Sequence, residues 1–507
     1  MSQTASLAWL VRHELRLSWR DWMSLMTGGQ RRRIPAVTAG LLAVAAVMHL
    51  LAYHLIGPYA PSGVNPEPAT LILVTGCALL SWSLTLSQAM EMVTRAFYAR
   101  ADLDLIFSSP VSARKIFAVR VAAIALSTTT LAVPLAAPFI NVLAYSGGPR
   151  WFGAYGVVIA MGFAASAIAL ALTVALFRTL GPRRTRLAAQ IVAAVVGAVF
   201  VIGVQALAIL STNTLSRIAA LQSEALKTIA PDLDSPFWWP ARAIMGDLPA
   251  LAGVMAASLA LLAAATLAFS GRFAAYATAA AGVSATLIRQ RRRADAFRRT
   301  TPQQILRRKE WTLLRRDPWL VSQTLMQVLY LLPPALLLWR NYGTGGEAIV
   351  VLVPVLVMAA GQLAGGLAWL AVSGEDAPDL VASAPVATTR ILRAKVEAVL
   401  GSIAVVVAPL ILLLALTSLY EAVVTVIGVM LAAASATLIQ LWFRKQAKRS
   451  HFRRRQTSSR VATFAEAFSS ISWAGTAGLA AAGSWAALAA GALACGLLAG
   501  VRAIRPR

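Results

Sequence analysis

A polypeptide crosses a bilayer only as a helix or a closed barrel, because the hydrocarbon offers no water to unpaired backbone groups. A spanning helix takes about 20 apolar residues, and this sequence supplies that length of apolar chain twelve times. The stretches are 35–57, 69–92, 117–144, 151–177, 187–210, 248–269, 320–339, 349–372, 396–418, 421–443, 461–482 and 484–501. Gly483 and Ser484 leave room for only a very tight turn between the last two. Composition agrees, with 58% hydrophobic and 13% charged residues; a soluble domain carries about 25% charged. A water-soluble enzyme and a disordered chain are both excluded. The expected fold class is an all-α polytopic membrane protein with 12 transmembrane helices.

The net charge of +26 would point to nucleic acid in a soluble protein. Here its placement decides. With the N-terminus inside, Arg150, Arg217, Lys227, Arg242 and Arg340 are the five cations on the outer side, and the other 41 of 46 lie on the inner side. This is the positive-inside asymmetry of a membrane protein with both termini cytoplasmic. No nucleic-acid partner is expected; membrane lipid is. Only six of the cations are lysine, an arginine bias that fits a GC-rich bacterial genome and hence a bacterial inner membrane. The first 34 residues, with Arg31–Arg33, carry no cleavable signal pattern. Tyr145 with Trp151, Trp238 with Trp239, and Trp339 with Tyr342 fall at expected outer ends, where interfacial aromatics collect. Cys77 and Cys495 stand in apolar runs without metal-ligand spacing, so no metal and no catalytic residue is expected.

The chain also repeats itself. Residues 104–124 and 379–399 share eight identities at an offset of 275, and Lys115 with Arg390 and Arg120 with Lys395 conserve charge. Ahead of each half, Glu14, Arg20 and Asp21 correspond to Glu310, Arg316 and Asp317 at an offset of 296. The unit is an amphipathic segment followed by six spans. An even number of spans makes the two six-helix repeats parallel. The expected domains are an N-terminal half, 1–269, a basic cytoplasmic linker, 270–302, and a C-terminal half, 303–507. In segment 5–25, Val11, Leu15, Trp19 and Trp22 recur at helical spacing beside Arg12, Arg16 and Arg20. That pattern describes a helix lying in the interface, and 303–317 is its counterpart.

The loop after the second span reads Asp102, Leu103, Asp104, Leu105, Ile106, Phe107, Ser108, Ser109, Pro110, and the loop after the eighth contains Asp379, Leu380, Ser383 and Pro385. Apolar residues on a cytoplasmic tip are costly unless something covers them. Two such knobs, one per half, fit a partner with two grooves. The layout resembles the export-type (type-2) permeases of ATP-binding-cassette transporters. The resemblance rests on the interfacial helix before six spans, the Asp-Leu-Asp-Leu-x-x-x-Ser-Pro-Val-Ser phrase at 102–112 and the basic Arg114 and Lys115. It implies that the two loops are coupling helices docking a separate ATPase, two copies per chain. ATP and Mg would be bound on that partner, with no cofactor in this chain. The second loop departs from the pattern, having no second acidic-Leu pair and Ala387 in place of Ser. Pro236, Phe237, Trp238, Trp239 and Pro240 resemble the family's outer segment, and the three aromatics are candidates for an outer gate.

The chain carries no phosphate-binding Gly-Lys-Ser/Thr, since none of its lysines follows a glycine. It is therefore expected not to be an enzyme itself. Intramembrane ionisable groups are few: Glu91, His49, His54 and Glu466. No charged cavity is evident in the sequence, which leaves an amphipathic or lipid-like substrate as the expectation. A 6+6 secondary carrier shares the topology, but 95–116 lacks the Gly-x-x-x-Asp-Arg-x-Gly-Arg-Arg loop of the major facilitator superfamily. A membrane scaffold without transport is the other alternative.

Overall fold

The computed structural model describes residues 34–57, 67–98, 112–210, 231–271, 301–316, 347–373, 383–443 and 460–503, with isolated positions elsewhere. The chain separates into two compact units, Met1–Ile288 and Arg289–Arg507. Among the described residues the regular structure is all helical, and nine helices are long and apolar enough to cross a membrane. Three of the twelve expected spans are not among the nine. Segment 320–339 lies almost wholly outside the described residues. Segment 187–210 continues a longer helical run. Segment 461–482 is helical, but Glu466, Ser469, Ser470, Ser472 and Thr476 dilute its apolar character.

The first unit contains α1 (Ile34–Ile56), α2 (Pro68–Tyr98), α3 (Ala113–Gly147), α4 (Gly153–Leu210), the short α5 (Trp239–Ile244) and α6 (Leu248–Ser270). Helix α4 is a hairpin. At Gly181 the backbone takes φ 71° and ψ 167°, a region that only glycine enters freely, and Pro182 then starts the second arm. The neighbours of α2 give the directions of the two arms. Trp82 Nε1 donates to Met161 O, and Phe97 meets Phe177, so α2 runs parallel to the first arm. Leu80 faces Gly203, Ser87 Oγ donates to Ala193 O, and Tyr98 OH donates to Pro182 O, so the second arm runs back along α2. The core joins Ala89, Met90, Val93 and Phe97 of α2 to Phe117 and Val121 of α3 and Ala165, Leu170 and Ala189 of α4. Helix α1 packs on α3 and exposes most of its leucines and valines, as a lipid-facing helix would.

The second unit contains α7 (Pro302–Arg316), α8 (Glu347–Ser373), α9 (Thr388–Thr417), α10 (Leu419–Trp442), α11 (Arg460–Ala481) and α12 (Ala486–Ala503). Helix α8 is sandwiched as α2 is. Val357 lies on Gly428 of α10, and Gly361 lies against both Ala432 of α10 and Ser470 of α11. Pro354 touches Gly478 of α11. Helix α10 therefore runs parallel to α8, and α11 runs antiparallel to it. Small residues allow this approach where lipid gives no hydrophobic drive between helices. The tight turn between α11 and α12 takes a definite form. Ser484 N–H donates to Leu479 O and Gly483 N–H to Ala480 O, both at 2.9 Å, with φ 68° at Gly483. This is a Schellman cap, which favours glycine at that residue.

Candidate functional site

Most of the expected docking residues lie outside the described residues: Asp102, Leu103, Asp104, Leu105, Ser108, Ser109, Pro110, Asp379 and Leu380, as do Glu14, Asp21 and Asp317. Arg20 is exposed, and Arg316 closes α7. Ser383 and Pro385 are exposed at the end of the second loop, just before α9 begins at Thr388. What the structure does define is the base on which that second loop stands.

The base begins with α7. Thr301 and Gln304 form a capping box: Thr301 N–H donates to Gln304 Oε1 at 3.2 Å, and Gln304 N–H to Thr301 Oγ1 at 3.4 Å. Pro302 fills the first helical position, where a missing N–H costs nothing. Gln303, Arg307, Glu310 and Trp311 then recur at helical spacing and meet α9. Gln303 Nε2 donates to Glu397 at 3.1 Å, Arg307 pairs with the same carboxylate, and Arg393 Nε reaches it at 3.0 Å. The Trp311 ring lies over Gly401.

The centre of the base is an ion pair. Glu310 is only 1% exposed and Lys395 8%. Lys395 Nζ lies 3.1 Å from the Glu310 carboxylate and also donates to the Ala371 carbonyl in the last turn of α8. Lys309 lies 3.5 Å from Glu310 on the more exposed side. One ammonium thus fastens α7, α8 and α9 together, and it caps a carbonyl in the last turn of α8, where helix carbonyls need partners from outside the helix. The sequence marks Glu310 only as part of an amphipathic segment; the structure encloses its carboxylate between helices.

The first unit has the same contact. Arg120 Nη1 donates to Ala96 O at 3.1 Å, in the last turn of α2. Arg120 and Ala96 stand 275 residues before Lys395 and Ala371, the offset that the sequence repeat gives. The match of Arg120 with Lys395 was visible in the sequence. The acceptor was not, because no local pattern marks one carbonyl among many.

On the opposite side of the first unit, residues 231–247 form a built cap. Ser235 accepts from Phe237 N–H at 3.3 Å. Trp238 is buried beside Leu71 and Ala241, and its indole donates to Pro231 O at 3.2 Å. Trp239 lies on Gly253 of α6, and Phe237 projects outward. Asp247 pairs with Arg242 at 3.0 Å and accepts from Ala250 N–H at the start of α6. Of the three expected gate residues, Trp238 holds the cap to α2, and Phe237 is the freest.

Two polar links within the apolar region bridge helices through amides, Asn141 and Gln440, of the kind the sequence marks for that role. Asn141 of α3 joins His49 of α1 at 3.1 Å and accepts from Tyr155 OH of α4 at 2.7 Å. Gln440 of α10 donates to Glu466 of α11 at 2.5 Å. In comparisons with known proteins, no family model, curated protein or solved structure matches this chain.

Proposed function

We propose that this chain is the membrane-spanning permease subunit of an ATP-driven exporter of the ATP-binding-cassette type. Twelve spans in two parallel halves would enclose the path, with both termini in the cytoplasm of a bacterium's inner membrane. A separate ATPase, two copies per chain, binds ATP and Mg and docks on the loops 102–110 and 379–385. The cargo is amphipathic or lipid-like.

One observation carries the reading: the clamp of α7, α8 and α9 at the base of the second loop, together with the equivalent Arg120–Ala96 contact in the first unit. A loop that receives mechanical work must stand on a base that does not yield, and its two stems must move with the membrane helices behind them. Lys395 ties one stem to the other and both to α7. A passive cytoplasmic turn has no need of a buried ion pair, whose desolvation costs several kcal/mol per ion before attraction repays it. The sandwich of α2 between the arms of α4 and that of α8 between α10 and α11 have the same strand of directions, which supports two equivalent halves.

The test is co-purification from the native membrane. A soluble protein with a Gly-Lys-Ser/Thr phosphate loop is expected to accompany the wild-type chain, and to be lost with Asp104→Arg or Leu105→Asp. Unchanged association in both variants removes the first loop as the docking site.

A further inference from the structure

Glu466 takes no part in the clamp and needs its own explanation. It lies in the second turn of α11, with its carboxyl against Gly365 of α8 so closely that a methyl group at 365 would overlap it. Gln440 of α10 donates to its Oε2. Among the described residues no lysine, arginine or histidine lies within ion-pair distance of it. One turn further on, Ser469 and Ser470 are fully buried with hydroxyls that have no partner, and Ser470 lies against Gly361. A strip of α8, Gly361 and Gly365, has thus been cleared to admit a carboxyl and a hydroxyl from α11.

The repeat makes the clearance informative. At the offset of 275 that Ala96–Ala371 and Arg120–Lys395 share, Gly365 corresponds to Met90, which is wholly buried in the core of the first unit. The first unit fills this place with a methionine side chain. The second leaves it open and fills it with a carboxyl from another helix. A volume-filling role alone would be met by the apolar solution, which avoids the cost of burying a polar group.

We propose that Glu466, with Gln440 and Gly365, forms a proton-binding site in the seam between α8, α10 and α11. With a proton bound, the carboxyl is neutral and the seam closes on it. When the proton leaves to water, the carboxylate has no described cation within ion-pair distance, and its charge draws the tip out of the seam and α11 away from α8. Among the described residues the elements packed around it bring few charges: Glu347 of α8 and Glu421 of α10 sit at the far ends of their helices, and on α12, whose Leu498 and Val501 pack beside Ala462 and Ala465, Arg502 is exposed at the Glu466 end and makes no ion pair with it. The closed seam holds one proton more than the open one, so acid favours closure. This inference does not depend on the transporter reading and survives or fails separately from it.

The test uses the full chain purified in detergent. An apolar carbodiimide is the probe: a protonated carboxyl gives its proton to the carbodiimide nitrogen and adds through oxygen to its carbon, the adduct rearranges to a stable N-acylurea, and peptide mass identifies the modified residue. Glu466 is expected to be labelled at about pH 5 and several-fold less at about pH 9. The isosteric Glu466→Gln keeps volume and hydrogen bonding, and its thermal midpoint should match the wild type in acid. Towards alkaline pH the wild type should fall a few degrees below it. Equal labelling at both pH values, or none, overturns the proposal. So does a difference between the two midpoints that stays constant with pH.

Discussion

Replacing Lys395 by methionine keeps the length of the side chain and removes its charge. Glu310 is then left at 1% exposure with Lys309, at 3.5 Å and partly exposed, as its only described cation. Stripping one partner from a buried pair costs about 3–5 kcal/mol. The Ala371 carbonyl loses its donor as well, worth about 1 kcal/mol, while Lys309 offsets part of the sum. A net loss of about 3 kcal/mol lowers the midpoint of a unit this size by roughly 2–4 °C per kcal/mol, on the order of 10 °C. Lys395→Arg should keep most of the stability, because Arg120 makes the equivalent carbonyl contact in the first unit. Glu310→Gln combined with Lys395→Met should recover much of the loss, since the buried charge is gone from both sides. Thermal unfolding in detergent of the wild type, Glu310→Gln, Lys395→Met and the double variant forms a double-mutant cycle, with Lys395→Arg measured beside it. Were Lys395→Met as stable as the wild type, or Lys395→Arg as damaged as Lys395→Met, the clamp would not be held by this ion pair.

Three further outcomes follow from other contacts. By the repeat, Glu14 corresponds to Glu310 and Arg120 to Lys395. Glu14→Lys is therefore expected to lower the midpoint by several degrees and the added Arg120→Glu to restore part of it; a second substitution that only adds damage refutes the equivalence. Asn141→Leu severs the links to His49 and Tyr155 and should cost about 1 kcal/mol, read as faster proteolysis after α1. Gly181→Ala forces a side chain into φ 71°, and should destabilise by about 1–2 kcal/mol in thermal unfolding although open space surrounds the position.

The membrane class was legible because the bilayer sets a length and a hydropathy that sequence displays directly. The repeat was legible too, since Asp, Leu, Ser, Pro and Val recur at one offset. The structure then aligned Ala96 with Ala371 through the cations that reach them. What sequence could not give were pairings across long separations. Glu310 and Lys395 lie 85 residues apart, and an amphipathic α7 reads equally well as a helix on headgroups or one clamped to α9. The polar residues of α11 lower its hydropathy, yet Ser469 and Ser470 are fully buried between helices; composition does not distinguish a polar seam from a polar surface. Trp238 illustrates the same limit, since an interfacial aromatic and a buried anchor share a sequence pattern.

Native mass spectrometry of the complex extracted from its own membrane addresses the central claim most directly. One copy of this 53.6 kDa chain with two copies of a phosphate-loop ATPase is the predicted assembly. A chain that flies alone or with itself, and that moves amphipathic cargo in vesicles supplied with an ion gradient and no ATP, contradicts it.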